Sequence, residues 1–274
     1  EEVARGHELV LASGTGTRAA QEGSPGFIIS LDGPAPEDSG EVIMGAVAWP
    51  GNYRIWFRHS PYHYLYAGAG MDVAPAPYVL DAGGVLETPP VILAWSGEGK
   101  GEASRSMHRW ARRYGLRGGD EERMTLLNSW EGVYFTFTED VLHGMMKRAA
   151  DLGIELFVLD DGWFGARSND YAGLGDWVAN RERLPQGIKG IADRIEEMGM
   201  KFGLWFEPEM VNKDSDLYRA HPDWILQTPQ RHSCHGRNQY VLDLSRKEEV
   251  DCIYEMMYKI LSEAKVSSIK WDMN

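Results

Sequence analysis

From Thr125 onward, continuous apolar runs alternate with segments of helical period, and this alternation restricts the fold more than any other feature of the chain. The runs are "TLLNSW", "IELFVLDD", "KFGLWFEPE" and "SSIKWD", with "YVLDL" as an additional short strand. Between them the spacing predicts helices over 139–152, 188–198 and 248–264, with a short one near 215–220. Strands that are apolar on both faces and separated by helices pair in parallel and are covered on both sides. An open doubly wound sheet and a (β/α)₈ barrel both satisfy the pattern. The first strand–helix turn lacks the glycine-rich phosphate fingerprint, which weakens a dinucleotide-binding sheet.

What each strand delivers at its C-terminal end decides between them. Trp130-Glu131, Asp160-Asp161-Gly162-Trp163, Trp205-Phe206-Glu207-Pro208-Glu209 and Trp271-Asp272 each combine an indole with at least one acid. In a barrel those ends converge on the face where the βα loops build active sites. A full barrel takes roughly 250 residues, and far fewer separate Met124 from Asn274. The fold class expected is therefore α/β plus β: part of a β-sandwich followed by the first half of a (β/α)₈ TIM barrel. The expected division is a sandwich over 1–103, a linking helix and connector over 104–123, and the barrel half over 124–274.

The sandwich expectation rests on "GFIISLDG", "EVIMGAVAWPG", "NYRIWFRHS" and "PYVLDAGG", each a short apolar run bounded by turn residues. "SRSMHRWARRYGL" has helical period and ends at a glycine, hence the linking helix. The chain opens without Met or a signal pattern and ends directly behind Asp272, so both ends read as cuts through a longer protein.

Composition narrows the partners. A net charge of −13 disfavours nucleic acid, and no run of 18 apolar residues suggests a membrane span. Ten Trp and twelve Tyr with an acidic balance suit carbohydrate, whose C–H faces stack on aromatic rings. Cys234 and Cys252 fit neither a zinc pattern nor a disulfide framework, consistent with a cytoplasmic location. His232, Cys234 and His235 lie close together without recognised ligand spacing, so neither metal nor cofactor is expected.

Individual residues carry two readings each. Asp160-Asp161 could cap a turn or bind sugar hydroxyls through charge-assisted hydrogen bonds. The 24-residue stretch "FGARSNDYAGLGDWVANRERLPQG" behind them favours binding, as a lid or wall. Glu207 and Glu209 flank Pro208 and are either acid–base groups or scaffold. Trp205 offers a flat face to a pyranose ring. Arg237 is a lone cation suited to pairing with a buried carboxylate. Lys270 and Asp272 share one strand face, so the lysine would depress the aspartate's pKa, as a nucleophile requires. Trp271 points the other way and reads as packing.

"LLNSWEGVYF", "GIELFVLDDGWFGAR", "LGDWVAN", "LPQGIKGIADRIEEMGMKFGLWFEPEMVNKDSDLYRAHPDW", "GRNQYVLDLSR" and "IKWDMN" together closely resemble the α-galactosidases of glycoside hydrolase family 36. The resemblance implies that Asp272 of "KWDMN" is the catalytic nucleophile, with Lys270 and Asn274 contacting the sugar. It places Asp160 and Asp161 on the 4- and 6-hydroxyls of galactose, and Trp205, Arg237, Trp130 and Trp163 around the same subsite. It implies retention of anomeric configuration, an oligosaccharide substrate with terminal α-linked galactose, and a homo-oligomeric, tetrameric parent. The family's general acid/base lies beyond "KWDMN", so no residue here takes that role and the chain alone is expected to be inactive. A galactosyltransferase of the same family and a non-catalytic, lectin-like galactoside binder are the alternatives.

Overall fold

The structure is a computed structural model that describes residues 3–14, 23–31, 33–74, 78–228, 230 and 235–274. It divides into two compact units, Glu1–Glu121 and Glu122–Asn274.

The first unit contains strands β1 (Glu8–Ser13), β2 (Gly26–Ser30), β3 (Val42–Val47), β4 (Tyr53–His59), β5 (Leu65–Met71) and β6 (Val91–Ser96), then helix α1 (Gly99–Trp110). The strands form two antiparallel sheets, ordered β1-β4-β5 and β2-β3-β6. In β4 the period-two pattern turns Tyr53, Ile55 and Phe57 inward, where they meet Leu9 and Leu11 of their own sheet and Phe27 and Ile29 of the other. Phe27 and Phe57 meet edge to face at 5.1 Å, so the two sheets pack face to face.

Of "PYVLDAGG", Pro77 lies outside the described residues and 78–84 form no strand. A turn closed by the Gly84 amide on the Asp81 carbonyl interrupts the run, and Val79 and Val85 stay exposed. Conversely, glycine-rich β5 does pair, because Gly68 leaves room for the Trp56 ring, to which a Cβ there would come within 2.4 Å. Helix α1 begins earlier than its sequence suggests and lies on β3 and β6, burying Gly99, Gly101 and Ala103. It therefore belongs to the first unit's packing, and a wider π-type turn, Ala111–Gly115, follows it.

The second unit runs β7 (Leu126–Asn128), α2 (Trp130–Val133), α3 (Glu139–Asp151), β8 (Leu156–Leu159), α4 (Gly187–Glu197), β9 (Lys201–Phe206), β10 (Met210–Asn212), α5 (Asp216–Ala220), β11 (His235–Gly236), β12 (Gln239–Val241), α6 (Lys247–Glu263) and β13 (Ser268–Trp271). Strands β7, β8, β9 and β13 form one parallel sheet in sequence order. The additional strand expected at "YVLDL" is β12, paired antiparallel with β10 and β11 in a small separate sheet.

Helix α3 starts where Thr138 Oγ1 accepts the Val141 amide, with Glu139 and Asp140 against the helix dipole. Helix α4 carries Ile188, Ile191, Ala192 and Ile195 on one stripe. These side chains cover β8, buried throughout, and β9, buried beyond Lys201. Each fully buried aliphatic side chain contributes about 1.5–3 kcal/mol. The outer strands are less covered: Leu126 on β7, and Ile269 and Trp271 on β13, are exposed. Among the described residues, no helix is long and apolar enough to cross a membrane.

One buried charge opposes this packing. Glu249, in the first turn of α6, is fully buried, and among the described residues neither carboxylate oxygen has a hydrogen-bond partner. Burial, then the charge of Asp243, pushes its pKa up to about 7. The unfolded chain releases that proton near an ordinary glutamate value of about 4.3. Stability is therefore lost as pH rises from that value toward 7, and the loss is constant above it. Glu249→Gln should raise Tm at pH 8, with the gain disappearing near pH 4. A gain independent of pH would show that Glu249 is not ionised at the cost of folding.

Candidate active site

The site forms where the parallel strands end. Asp160 follows β8 directly and is buried. Its Oδ2 accepts from Asn128 Nδ2 at the end of β7 (2.6 Å) and from Lys270 Nζ on β13 (2.8 Å). Its Oδ1 accepts the Asp161 amide, and the Asp160 amide donates to Ser129 Oγ. One carboxylate thus ties the first, second and fourth strands of the sheet. Asn128 also accepts the Trp130 amide, which sets the start of α2 and the placement of that half-buried indole.

Asp161 has a different partner. Arg167, six residues on and 1% exposed, grips both of its carboxylate oxygens, with Nη2 to Oδ2 at 2.8 Å and Nε to Oδ1 at 3.0 Å. Burial pushes the Asp161 carboxyl up, and Arg167 offsets part of that shift. The long loop holding Arg167 is a packed wall rather than a lid: Phe164, Leu174, Trp177 and Leu184 in it are all buried. Its tight return requires Gly173, at φ +79°, where a Cβ would come within 2.7 Å of the Arg167 amide nitrogen.

Asp272 lies just past β13. Its Oδ2 accepts the Trp205 indole N–H at 3.1 Å and its Oδ1 the Met273 amide at 2.8 Å. Burial alone would raise this carboxyl. Those two donors and the positive charge of Lys270 outweigh burial and hold it below the usual aspartate range. Glu207, fully buried, accepts from both the backbone and side-chain N–H groups of Asn274. Glu209 accepts the Trp271 indole at 2.7 Å. Both glutamates therefore brace the strand end that carries Asp272.

The structure brings Asp160, Asp161, Lys270, Asp272, Trp205 and Asn274 together, but it alters several expected partnerships. Lys270 bonds Asp160 directly and acts on Asp272 only through space. Arg237 pairs at 2.6 Å with Asp170, a half-exposed loop residue, and the buried carboxylate falls to Arg167 instead. Trp163 is fully buried and spends its indole N–H on the Trp205 carbonyl, so in this conformation it is core rather than sugar platform. Trp205 is also covered, its ring parallel to Phe164 at 6.0 Å, and it presents its N–H to Asp272 rather than a free face.

Asn128 and Arg167 escaped the sequence reading. Their signals were a polar residue closing an apolar strand and a cation six residues behind two adjacent acids. Of the considered metal-binding group, His232 and Cys234 lie outside the described residues, and His235 stacks on Tyr240. Among the described residues, no three His, Cys, Asp or Glu side chains cluster as metal ligands.

Carboxylates and indoles at the C-terminal ends of parallel strands, with one acid held below the usual aspartate range, define the class: an α/β domain whose strand-end face gathers acids and tryptophans. The sequence pattern of the Melibiase family matches residues 85–274, and the chain belongs to that family. It is 41% identical over 250 residues to α-galactosidase AgaA of Geobacillus stearothermophilus, covering 90% of this chain and 34% of that protein. It is 37% identical to an Escherichia coli α-galactosidase over 98% of this chain and 38% of the other. The galactosidase domain of the α-galactosidase–sucrose kinase AgaSK superposes with a TM-score of 0.91 at 35% identity, over 99% of this chain and 38% of that one. A crystal structure of a family 36 AgaA variant in complex with raffinose gives 0.88 at 36% identity, over 97% and 37%. The chain thus spans about a third of the length of the relatives it matches.

The Asp161–Arg167 pair yields a stability prediction. Removing one member of a buried ion pair typically costs about 3–5 kcal/mol, because the other charge is stranded. Arg167→Ala should destabilise the second unit by that order in urea unfolding. Asp161→Asn combined with Arg167→Met should recover most of the loss. If the double variant is no more stable than the single one, Arg167 acts through packing rather than charge.

Proposed function

We propose that this segment supplies the nucleophile and the galactose-binding half of a retaining α-galactosidase, within a protein of its relatives' length. The observation that carries the reading is Asp272, held ionised by Trp205, Met273 and Lys270 beside the Asp160–Asp161 pair. The terminal galactose donates its 4- and 6-hydroxyls to the remaining lone pairs of those two acids, with Lys270, Asn274, Trp130 and Arg237 around it. The first unit is the sandwich domain, and the parallel sheet is the first half of the barrel.

Asp272 attacks the anomeric carbon, and the bond from that carbon to the leaving oxygen breaks as the oxygen takes up a proton. Water then attacks the anomeric carbon of the galactosyl ester and gives a proton back to the group that protonated the leaving oxygen, releasing galactose and restoring the carboxylate. Two displacements on one carbon retain its configuration, and the proton donor lies about 5–5.5 Å from the nucleophile. No residue of this chain is assigned that role. Variants of AgaA have been crystallised with raffinose, stachyose and 1-deoxygalactonojirimycin, and α-galactosides such as the first two are the substrate class proposed here.

In the full-length protein carrying this segment, Asp272→Asn should lower kcat for p-nitrophenyl α-galactoside by on the order of 10³-fold or more. Retained turnover would place the nucleophile elsewhere. Trp205→Phe keeps the ring but removes a hydrogen bond to the carboxylate. The acid limb of kcat/KM should move to higher pH, and an unmoved limb would separate Trp205 from the ionisation of Asp272. Transfer to a sugar acceptor with no free galactose released would identify a transferase instead.

A further inference from the structure

Asn212 ends β10, is fully buried, and uses every hydrogen-bonding position of its side chain. Its Oδ1 accepts from Arg167 Nη1 at 2.9 Å and from the Leu174 amide at 3.0 Å. Its Nδ2 donates to the Asp170 carbonyl at 3.1 Å and the Asn238 carbonyl at 3.0 Å. An amide has two acceptor and two donor positions, so its capacity is exhausted. The partners come from two separate segments, the loop behind β8 and the β11–β12 hairpin.

That hairpin is backbone-strained. Gly236 pairs with Gln239, leaving Arg237 and Asn238 as a two-residue loop with φ of 47° and 62°. Such a turn needs positive φ at both positions and favours Asn and Gly. An arginine there is held in a backbone conformation that its Cβ disfavours. The Arg237 side chain offsets part of that through its 2.6 Å bond to Asp170. Asn212 grips the carbonyl of the residue following Arg237 and the carbonyl of Asp170 itself, holding the backbone on both sides of the ion pair. Its oxygen holds the guanidinium that in turn holds Asp161.

We propose that Asn212 is a positioning residue that fixes Arg237 and sets it in register with Asp161 through Arg167. This rests on the galactoside-pocket reading above, and Asn212 acts on the sugar only through those neighbours. Asn212→Asp separates its two functions: the new carboxylate keeps both acceptors for Arg167 and Leu174 but loses both donors to the carbonyls.

The test is a double-mutant cycle in the full-length protein carrying this segment. Asn212→Asp and Arg237→Ala should each raise KM for p-nitrophenyl α-galactoside by about tenfold, with kcat within about threefold, and the pair together should add less than about twofold. Effects that multiply to about a hundredfold would mean the two residues act separately and would overturn the proposal. Hydrogen exchange across 235–241 gives a readout that does not need activity: it should quicken in Asn212→Asp, and unchanged protection overturns the proposal.

If the unsubstituted protein cleaves no α-galactoside, the functional reading fails and the exchange result alone decides this one. If Asn212→Asp does not fold, Asp170→Ala, at a half-exposed position, decides. It should raise KM less than Arg237→Ala does, because the carbonyl grip survives. A loss equal to that of Arg237→Ala would assign the positioning to the Asp170 carboxylate instead.

Discussion

A single oxygen atom, Oδ2 of Asp160, accepts from an asparagine on β7 and a lysine on β13 while its backbone continues β8. The rest of the site depends on this clamp. Parallel strands lie roughly 4.8 Å apart, so Lys270 reaches past β9 to make its bond. It thereby brings its charge to the same end of the sheet as Asp272. A buried carboxylate with these donors is satisfied, whereas one without them would carry a penalty of several kcal/mol. The clamp therefore stabilises the sheet at the end where Asp272 stands.

Three aspartates within one sheet end receive three environments. Asp160 is bound by a lysine and an asparagine, Asp161 by a buried bidentate arginine, and Asp272 by an indole and a backbone amide. Asp161 is pushed upward by burial, while Asp272 is held down by its donors and by Lys270. Neighbours differing in this way allow one acid to be a nucleophile while the others hold hydroxyls. Beneath them, Trp163, Phe164, Trp177, Trp205 and Phe206 form a continuous aromatic floor. Such contacts add about 0.5–1.5 kcal/mol per pair beyond their burial. The floor fixes Trp205, and Trp205 fixes Asp272.

Much of the second unit was legible in the sequence because apolar runs such as "LFVL" are buried on both faces and the helices between them keep a 3.6-residue stripe. The acids and tryptophans at the strand ends were legible for the same reason: a strand's terminus is set by where its apolar run stops. The partnerships were not. Nothing local distinguishes Arg167 from Arg237, and only the folded loop shows which guanidinium is buried beside Asp161. Trp205 read as a sugar platform and Trp163 as part of the subsite because a tryptophan near an acid looks the same whether its face is open or covered by Phe164. In the first unit, β1 and β6 went unread, and β5 was hidden by its glycines, of which Gly68 makes room for the Trp56 ring. "PYVLDAGG" had the right composition for a strand but closes in a turn over 81–84.

The central claim is that Asp272 becomes covalently bonded to the sugar. The most direct measurement is peptide mass analysis of the full-length protein carrying this segment after reaction with 5-fluoro-α-galactosyl fluoride, whose ring fluorine slows release of the intermediate while the fluoride leaving group keeps its formation fast. A fluorogalactosyl adduct is expected on the peptide containing Asp272, absent when that residue is asparagine. Label on any other carboxylate, or a protein that turns over α-galactosides with no adduct at Asp272, would contradict it.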